Sequence, residues 1–133
     1  MNEFSKIKAV FDKTHRLFVW KADEEVYGTP EHWTSHADAV EREELFFDDC
    51  DGFAMTVIEL CIRMGIKPEN CRLALCWTET NEYHAVAIVH DWLLDNRMRT
   101  LRPWVTVPYR WHKSMKMSAP GLWLDATVDG VPF

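Results

Sequence analysis

Three residues that follow one another along the chain have the side chains that thiol catalysis requires. Cys50 lies within DDCDGFA, His84 within YHAVAIV and Asp95 within WLLDN. A nucleophilic thiol needs surroundings that favour the thiolate, a base that takes its proton and a group that orients the base. The sequence therefore predicts Cys50 as the nucleophile, His84 as the base and Asp95 as the residue that fixes the imidazole tautomer. Taken singly, each residue also has a structural explanation, as a buried thiol, a core histidine and a turn aspartate.

Cys50 is predicted to lie at the start of a helix. Apolar residues recur after it at the spacing of one helical face, and Gly65 follows as a suitable C-terminal residue, so we expect a helix over roughly Asp49–Met64. Asp48 or Asp49 is the expected N-cap. The unpaired amides and the dipole at this end stabilise a thiolate, and the Cys50 amide can bind a developing oxyanion.

Three aspartates flank this cysteine, and they would oppose its ionisation if they pointed at the sulfur. They are Asp48, Asp49 and Asp51. A carboxylate raises the pKa of a neighbouring acid because the two negative charges repel. We therefore expect these side chains to face solvent, the helix amides or a cation.

Short apolar runs after the helix predict the strands that carry the other two residues. Alternation puts His84 on the face shared by Val86 and Ile88, and Asp95 ends the next run, where it can lie beside His84. The predicted strands are 71–77, 83–89, 92–96 and 104–109, with a polar turn at 78–82 and a tight reversal at 90–91.

Helices are predicted in front of these strands. Residues 3–20 begin with helical spacing and finish extended, and residues 35–46 form a short helix or helical turn. Ser35 is the expected N-cap of the second helix, with Asp38 as its capping-box partner. Helices first and strands afterwards give an α+β fold, in which the helices pack on one face of an antiparallel meander.

The whole chain has the length and composition of a single globular domain, at 133 residues with 47% hydrophobic residues. Its net charge of −6 argues against a nucleic-acid partner, because such proteins carry basic surfaces. No apolar run has the length of a signal peptide or a membrane span, so we expect a cytoplasmic protein without a membrane partner. The other cysteines should then be reduced and buried, namely Cys61, Cys71 and Cys76.

The segment DDCDGFA (48–54) resembles the motif G-D-C-E-D-Y-A of the bacterial transglutaminase-like cysteine peptidases. This papain-like family includes periplasmic proteases that release biofilm adhesins and small phage-encoded members. Asp49, Cys50 and Asp51 match the motif in kind, whereas Gly52 stands where the family has an acidic residue.

Further segments extend the resemblance over about residues 20–125, most of the chain. They are TPEHW (29–33), YHAVAIV (83–89) as the histidine strand, WLLDN (92–96) as the L-D-N strand, and LRPW (101–104). The resemblance implies a papain-like α+β fold and a catalytic triad of Cys50, His84 and Asp95.

The function implied is hydrolysis of an amide bond in a protein or peptide through a thioester. Water as the second nucleophile gives a protease, an amidase or a deamidase, and a lysine amine gives a transglutaminase. A non-catalytic binding or inhibitor module that keeps the fold is a second class, and a structural phage component is a third. Some family members bind calcium beside the cysteine. Asp49 and Asp51 match acidic positions of the family motif, but position 52 is a glycine. We therefore expect no required cofactor and at best weak calcium binding.

Overall fold

The computed structural model describes residues 2–21 and 34–126. The helices are α1 (Glu3–Leu17), α2 (Ala37–Glu41) and α3 (Cys50–Arg63), with 3-10 turns at Pro68–Asn70 and Trp104–Thr106. The strands are β1 (Phe18–Trp20), β2 (Phe46–Asp48), β3 (Cys71–Trp77), β4 (Tyr83–Val89), β5 (Trp92–Leu94), β6 (Arg102–Pro103), β7 (Arg110–Lys116) and β8 (Trp123–Asp125). Helices precede the main sheet along the chain, so the predicted α+β fold is confirmed.

Helix α1 is followed directly by an extended segment, as the spacing in residues 3–20 predicts. Asn2 caps the helix by accepting a hydrogen bond from the Ser5 amide at 2.8 Å. The chain then continues into β1, which pairs in parallel with β2 and places Trp20 opposite Asp48. This small sheet brings the end of α1 beside the residues that lead into α3.

Helix α3 begins at Cys50 and carries most of the contact between the helices and the main sheet. Its N-cap Asp49 is extended, and the helix is followed by Gly65 in the left-handed region at φ +99°. Phe53, Val57 and other apolar side chains of α3 are almost fully buried against α1 and the sheet. Burying one such side chain contributes roughly 1.5–3 kcal/mol, which fixes the first turn of α3 relative to the strands.

The main sheet has the order β6-β5-β4-β3-β7-β8, and all its neighbouring strands are antiparallel. Strands β3 to β6 form the predicted meander, but β7 returns to pair with β3. The prediction of a strand at 104–109 is wrong, because residues Trp104–Thr106 form a 3-10 turn and the strand begins at Arg110. Pro108 lacks the amide that a ladder needs.

The sequence did not predict strand β7, because basic residues interrupt its apolar pattern. Arg110 stacks over the ring of Trp77 with its guanidinium carbon 4.2 Å from the ring centroid, and Lys113 lies 4.9 Å from the centroid of Trp123. These contacts let charged side chains cover apolar surface on a strand. A simple alternation of polar and apolar residues is therefore absent from β7.

The face of the sheet opposite α3 has its own apolar cluster. Trp104, Val107 and Tyr109 pack there against residues of β3, β4 and β5. The connection after β5 thus covers the second face, as the helices cover the first. His84 lies on this face with Val86 and Ile88, as alternation predicts.

Helix α2 begins later than the sequence predicts. Its N-cap is His36 without a side-chain cap, so the prediction of Ser35 as N-cap with Asp38 as its partner is wrong. The Ser35 hydroxyl donates to the carboxylate of Glu59, and its oxygen also accepts a hydrogen bond from the Ala37 amide at 3.2 Å. A charged carboxylate is a stronger acceptor than a neutral partner, and this contact ties α2 to α3. The segment TPEHW (29–33) lies outside the described residues.

Across the described ranges 2–21 and 34–126, no helix has both the length and the apolar character to cross a membrane.

Candidate active site

Cys50 is the first residue of α3, and its side chain is partly buried. The carboxylates beside it bind amides at this end of the helix. Asp48 accepts a hydrogen bond from the Asp49 amide at 2.8 Å, and Asp51 accepts one from the Gly52 amide at 2.7 Å. Asp48 and Asp51 therefore bind amides at the helix start, one of the arrangements expected from the sequence, whereas the N-cap Asp49 forms no side-chain cap hydrogen bond.

His84 lies between Cys50 and Asp95. It is the second residue of β4, only 7% exposed, and its Nε2 donates to Asp95 Oδ1 at 2.8 Å. Cys50 lies close enough to the ring to contribute to the pKa of His84. Since Nε2 is bound to the carboxylate, Nδ1 is the nitrogen left for the thiol. The structure thus brings together all three residues that the sequence singled out.

The charges of this group support one another. Burial lowers the pKa of His84, but the hydrogen bond and negative charge of Asp95, together with the interaction with Cys50, outweigh this effect and raise the pKa to about 9. Burial raises the pKa of Asp95, yet the His84 hydrogen bond and charge, with smaller contributions from Tyr109 and the Arg97 amide, bring it below its usual value. At neutral pH this arrangement favours a protonated imidazole beside an ionised Asp95.

Asp95 is completely buried and has partners that the sequence did not reveal. Tyr109 donates its hydroxyl proton to Asp95 Oδ2 at 2.5 Å, and the Arg97 amide donates to Oδ1 at 2.9 Å. Sequence reasoning placed Tyr109 in a strand and gave it no role. The residue type alone could have indicated a role, because a buried tyrosine in an apolar run needs a hydrogen-bond partner for its hydroxyl.

The three aspartates around Cys50 form a compact acidic cluster. One oxygen from each of Asp48, Asp49 and Asp51 lies within 4.8 Å of the others. Burial is the largest cause that raises the pKa of Asp51 to about 8, and the hydrogen bond with Asp49 and its negative charge add to it. The pKa of Asp48 is also raised, mainly by burial. Asp51 is therefore largely protonated at neutral pH, because burial and the neighbouring carboxylates disfavour its negative charge.

Gly52 is explained by the position of Asp48. A Cβ atom at residue 52 would lie 1.9 Å from Oδ2 of Asp48, so the Asp48 carboxylate occupies the space that a side chain here would need. The same oxygen lies 2.8 Å from Nε2 of His36. The family motif has a glycine at the position of Asp48 and an acidic residue at the position of Gly52. This chain has the two residue types exchanged.

The remaining cysteines are free thiols in the interior. Burial raises the pKa of Cys61 to about 12 and that of Cys71 to about 11, and it raises the pKa of Cys76 as well. All three are fully buried, as the sequence predicts, and are thus unsuited to nucleophilic chemistry at neutral pH. Cys50 is the more exposed thiol of the four.

A groove with a volume of about 480 Å³ adjoins His84. Aromatic side chains of α1 and β1 form one part of its lining, and the turn between β3 and β4 with the segment after β5 forms another. The lining residues are His15, Phe18, Trp20, Thr78, Glu82, His84, Asn96 and Arg97. The groove is large enough for one or two side chains of an extended peptide.

Comparison with solved structures shows where this fold occurs. Legionella pneumophila LapG superposes with a TM-score of 0.72 at 18% identity, covering 98% of this chain and 71% of that chain. The EGTA-treated form gives 0.73 at 19% identity, covering 95% and 69%, and the calcium-bound form gives 0.68 at 19%, covering 95% and 76%. Similarity at this identity establishes a shared fold. Among curated proteins, no sequence matches the chain.

The comparison with family models gives a more specific result. The model described as bacterial transglutaminase-like cysteine proteinase, BTLCP, matches residues 1–130. This range is nearly the whole chain and contains the cysteine, histidine and aspartate described above. The protein therefore belongs to the bacterial transglutaminase-like cysteine proteinases, as the resemblance of its motifs implied.

Proposed function

We propose that the protein hydrolyses an amide bond of a protein or peptide, with Cys50 as nucleophile, His84 as acid and base, and Asp95 as the residue that orients His84. The observation that supports this most directly is the 2.8 Å hydrogen bond between the buried His84 ring and the fully buried Asp95 carboxylate, with Cys50 close enough to the imidazole to raise its pKa. A buried imidazole between a thiol and a carboxylate has the arrangement that activates a sulfur nucleophile.

The reaction proceeds in two halves. His84 takes the thiol proton, and the Cys50 sulfur forms a bond to the carbonyl carbon while the carbonyl electrons move to oxygen. The amide of Cys50 is the donor we assign to this oxyanion, because the amides of Asp49 and Gly52 already bind carboxylates. The tetrahedral species collapses, the carbon–nitrogen bond breaks, and His84 returns its proton to the departing amine.

The second half releases the acyl group. His84 takes a proton from water, the resulting hydroxide attacks the thioester carbonyl, and the carbon–sulfur bond breaks to give a carboxylic acid and the Cys50 thiolate. Asp95 remains ionised throughout and stabilises the imidazolium that forms in each half. Because His84 protonates the departing amine, the groove beside it is where we place the leaving segment of the substrate.

The acidic cluster fits a calcium ion. Calcium binds six to eight oxygen ligands, and Asp48, Asp49 and Asp51 offer three carboxylates close together. Oδ1 of Asp49 is buried without a hydrogen-bond partner in the described part of the chain, which leaves an acceptor available. We propose that these residues hold the ion. When bound, it would neutralise carboxylates beside the first turn of α3. Asp48 would then supply the carboxylate that Gly52 lacks.

Reactivity and cleavage can be tested together. A labelled iodoacetamide should modify Cys50 rapidly at neutral pH and leave the three buried cysteines unmodified in the folded protein, with peptide mass spectrometry as the readout. A bacterial protein extract incubated with the wild-type protein should gain new peptide N-termini that are absent with Cys50→Ala.

The outcome also separates the other functions open to this site. Incorporation of a labelled primary amine without new N-termini would replace hydrolysis by acyl transfer to amines. Ammonia release without either would indicate glutamine deamidation. A Cys50 that reacts no faster than a free thiol, with no change in any substrate, would contradict catalysis and favour a binding module that keeps the fold.

A further inference from the structure

Both oxygens of the Asp95 carboxylate are bound from different parts of the chain. Oδ1 accepts from His84 Nε2 and from the Arg97 amide, and Oδ2 accepts from the Tyr109 hydroxyl. The Arg97 amide is two residues away and belongs to the local turn, whereas Tyr109 lies 14 residues further along the chain. The carboxylate is thus held by one local contact and one long-range contact besides the imidazole.

Tyr109 contacts His84 as well as Asp95. Its ring lies edge-on to the imidazole with centroids 5.9 Å apart, and its side chain is nearly buried at 7% exposure. Its oxygen also accepts a hydrogen bond from Arg97 Nη1 at 2.9 Å. Since arginine has no acceptor to offer, the direction of both bonds is fixed. Arg97 donates to the phenol oxygen, and the phenol donates to Asp95.

The chain of contacts continues to the groove beside His84. Arg97 lines that groove and forms an ion pair with Glu79 at 2.7 Å. Glu79 belongs to the turn between β3 and β4, whose residues Thr78 and Glu82 also line the groove. Arg97 therefore connects the wall of the groove to Tyr109, and Tyr109 connects Arg97 to the Asp95 carboxylate.

We propose that Tyr109 is a positioning residue, whose hydroxyl, polarised by Arg97, holds Asp95 ionised and keeps its Oδ1 directed at His84. This inference rests on the proposed function, because it gives Tyr109 a role through His84 and Cys50. A hydroxyl that accepts from a guanidinium becomes a better donor to a carboxylate. Loss of that donor leaves Oδ2 buried without a partner and weakens the support that Asp95 gives to the imidazolium.

A purely structural role for Tyr109 makes a different prediction. Tyr109→Phe keeps the ring and its edge-on contact with His84, and removes only the hydroxyl. If the residue only fills the core, this change lowers the melting temperature and leaves the reactivity of Cys50 alone. If it positions Asp95, the rate of Cys50 alkylation at each pH changes as well.

The test is the rate of iodoacetamide alkylation of Cys50 as a function of pH, measured in folded protein by peptide mass spectrometry. We expect the profile of Tyr109→Phe to move to higher pH, with alkylation at neutral pH about threefold slower. This effect is smaller than loss of the Asp95 charge, because the Tyr109 hydrogen bond acts on Cys50 only through Asp95 and His84. Other titrating or charged groups that face this cluster keep their identities in the variant. They are Cys76, Glu79, Glu82, Arg97 and His15, with Asp48, Asp49 and Asp51 beside Cys50. All profiles are compared in EGTA, so that calcium bound to these aspartates does not affect the titration of Cys50.

A matched control is available in Tyr83→Phe. Tyr83 is half exposed, and its hydroxyl is bonded to Nδ1 of His112 at 2.7 Å, so this variant removes the same kind of hydrogen bond from a histidine outside the site. Its alkylation profile should equal that of the wild type. A second variant, Arg97→Met, removes the donor to the phenol from a partly exposed position and should give a smaller shift in the same direction.

The outcomes distinguish this inference from the function on which it rests. If His84→Ala shifts the profile but Tyr109→Phe does not, the inference is wrong and the triad stands. If His84→Ala has no effect either, the proposed function fails and the inference fails with it. Should Tyr109→Phe not fold, Arg97→Met decides, because an unchanged profile in that variant contradicts the polarised phenol.

Discussion

Asp95→Asn is the substitution that separates a turn residue from a residue of the triad. Asparagine keeps a carbonyl oxygen for the Arg97 amide, so the local turn survives, but it removes the negative charge that faces His84. The expected result is slower alkylation of Cys50 at neutral pH, because the imidazolium that would stabilise a thiolate loses its ionised partner.

The size of this effect follows from the pKa of His84. A pKa of about 9 in place of 6.5 corresponds to roughly 3 kcal/mol, at about 1.4 kcal/mol for each unit of pKa. Asp95 and Cys50 are the two partners that raise it. Neutralising Asp95 removes a hydrogen bond to a charged group, which contributes about 1.5–3 kcal/mol, so the alkylation rate should fall by roughly tenfold or somewhat more. Loss of the Tyr109 hydrogen bond adds a stability cost of about 1–2 kcal/mol, a fall of several degrees in melting temperature.

The assay is the pH profile of Cys50 alkylation, with circular dichroism to confirm the fold. Asp91→Asn is the matched control. Asp91 is exposed in the reversal between β4 and β5, so this substitution makes the same chemical change away from His84. His84→Ala should shift the profile further than Asp95→Asn. Profiles of both variants that coincide with the wild type would refute the reasoning, because Cys50 would then react without help from either residue.

Two further predictions concern the acidic cluster. Gly52→Ala should reduce the free energy of unfolding by about 1–3 kcal/mol in urea denaturation, because the alanine Cβ must displace the Asp48 carboxylate. Adding Asp48→Gly to this variant should restore part of the lost stability. Full stability of Gly52→Ala alone would contradict the packing described. The pKa of Asp51 is raised from 3.8 to about 8 in the folded protein, so ionisation of Asp51 opposes folding. The contribution of protonated Asp51 to stability is present at acid pH and is lost as the pH rises from about 4 to about 8. Calcium should therefore raise the melting temperature more above pH 8 than at acid pH, and Asp51→Asn should abolish most of this gain; a calcium effect that is the same at every pH would argue against Asp51 as a ligand.

Several features of the site were predictable from local sequence alone. The apolar spacing after Cys50 and the glycine at 65 define α3, and the helix start then provides the amides that the thiol chemistry needs. The alternation in YHAVAIV places His84 on a strand face, and Asp95 follows the next strand. These predictions succeed because helix and strand periods depend on neighbours a few residues away.

Other features depended on contacts between distant segments, and they account for the errors. The position of β7 beside β3 follows from the packing of its aromatic and basic side chains on neighbouring strands, which no period in residues 110–116 reveals. The role of Ser35 changed because Glu59 on another helix bonds its hydroxyl.

The sequence by itself determined the identities and order of the three residues that we propose for catalysis and the elements that carry them. Only the tertiary structure decided that Tyr109 and Arg97 complete the surroundings of Asp95, and that the Asp48 carboxylate occupies the space over Gly52. The physical reason is that a buried carboxylate takes its partners from whichever segments the sheet order brings to it. That order is set by the packing of both faces of the sheet, and no short stretch of the chain contains it.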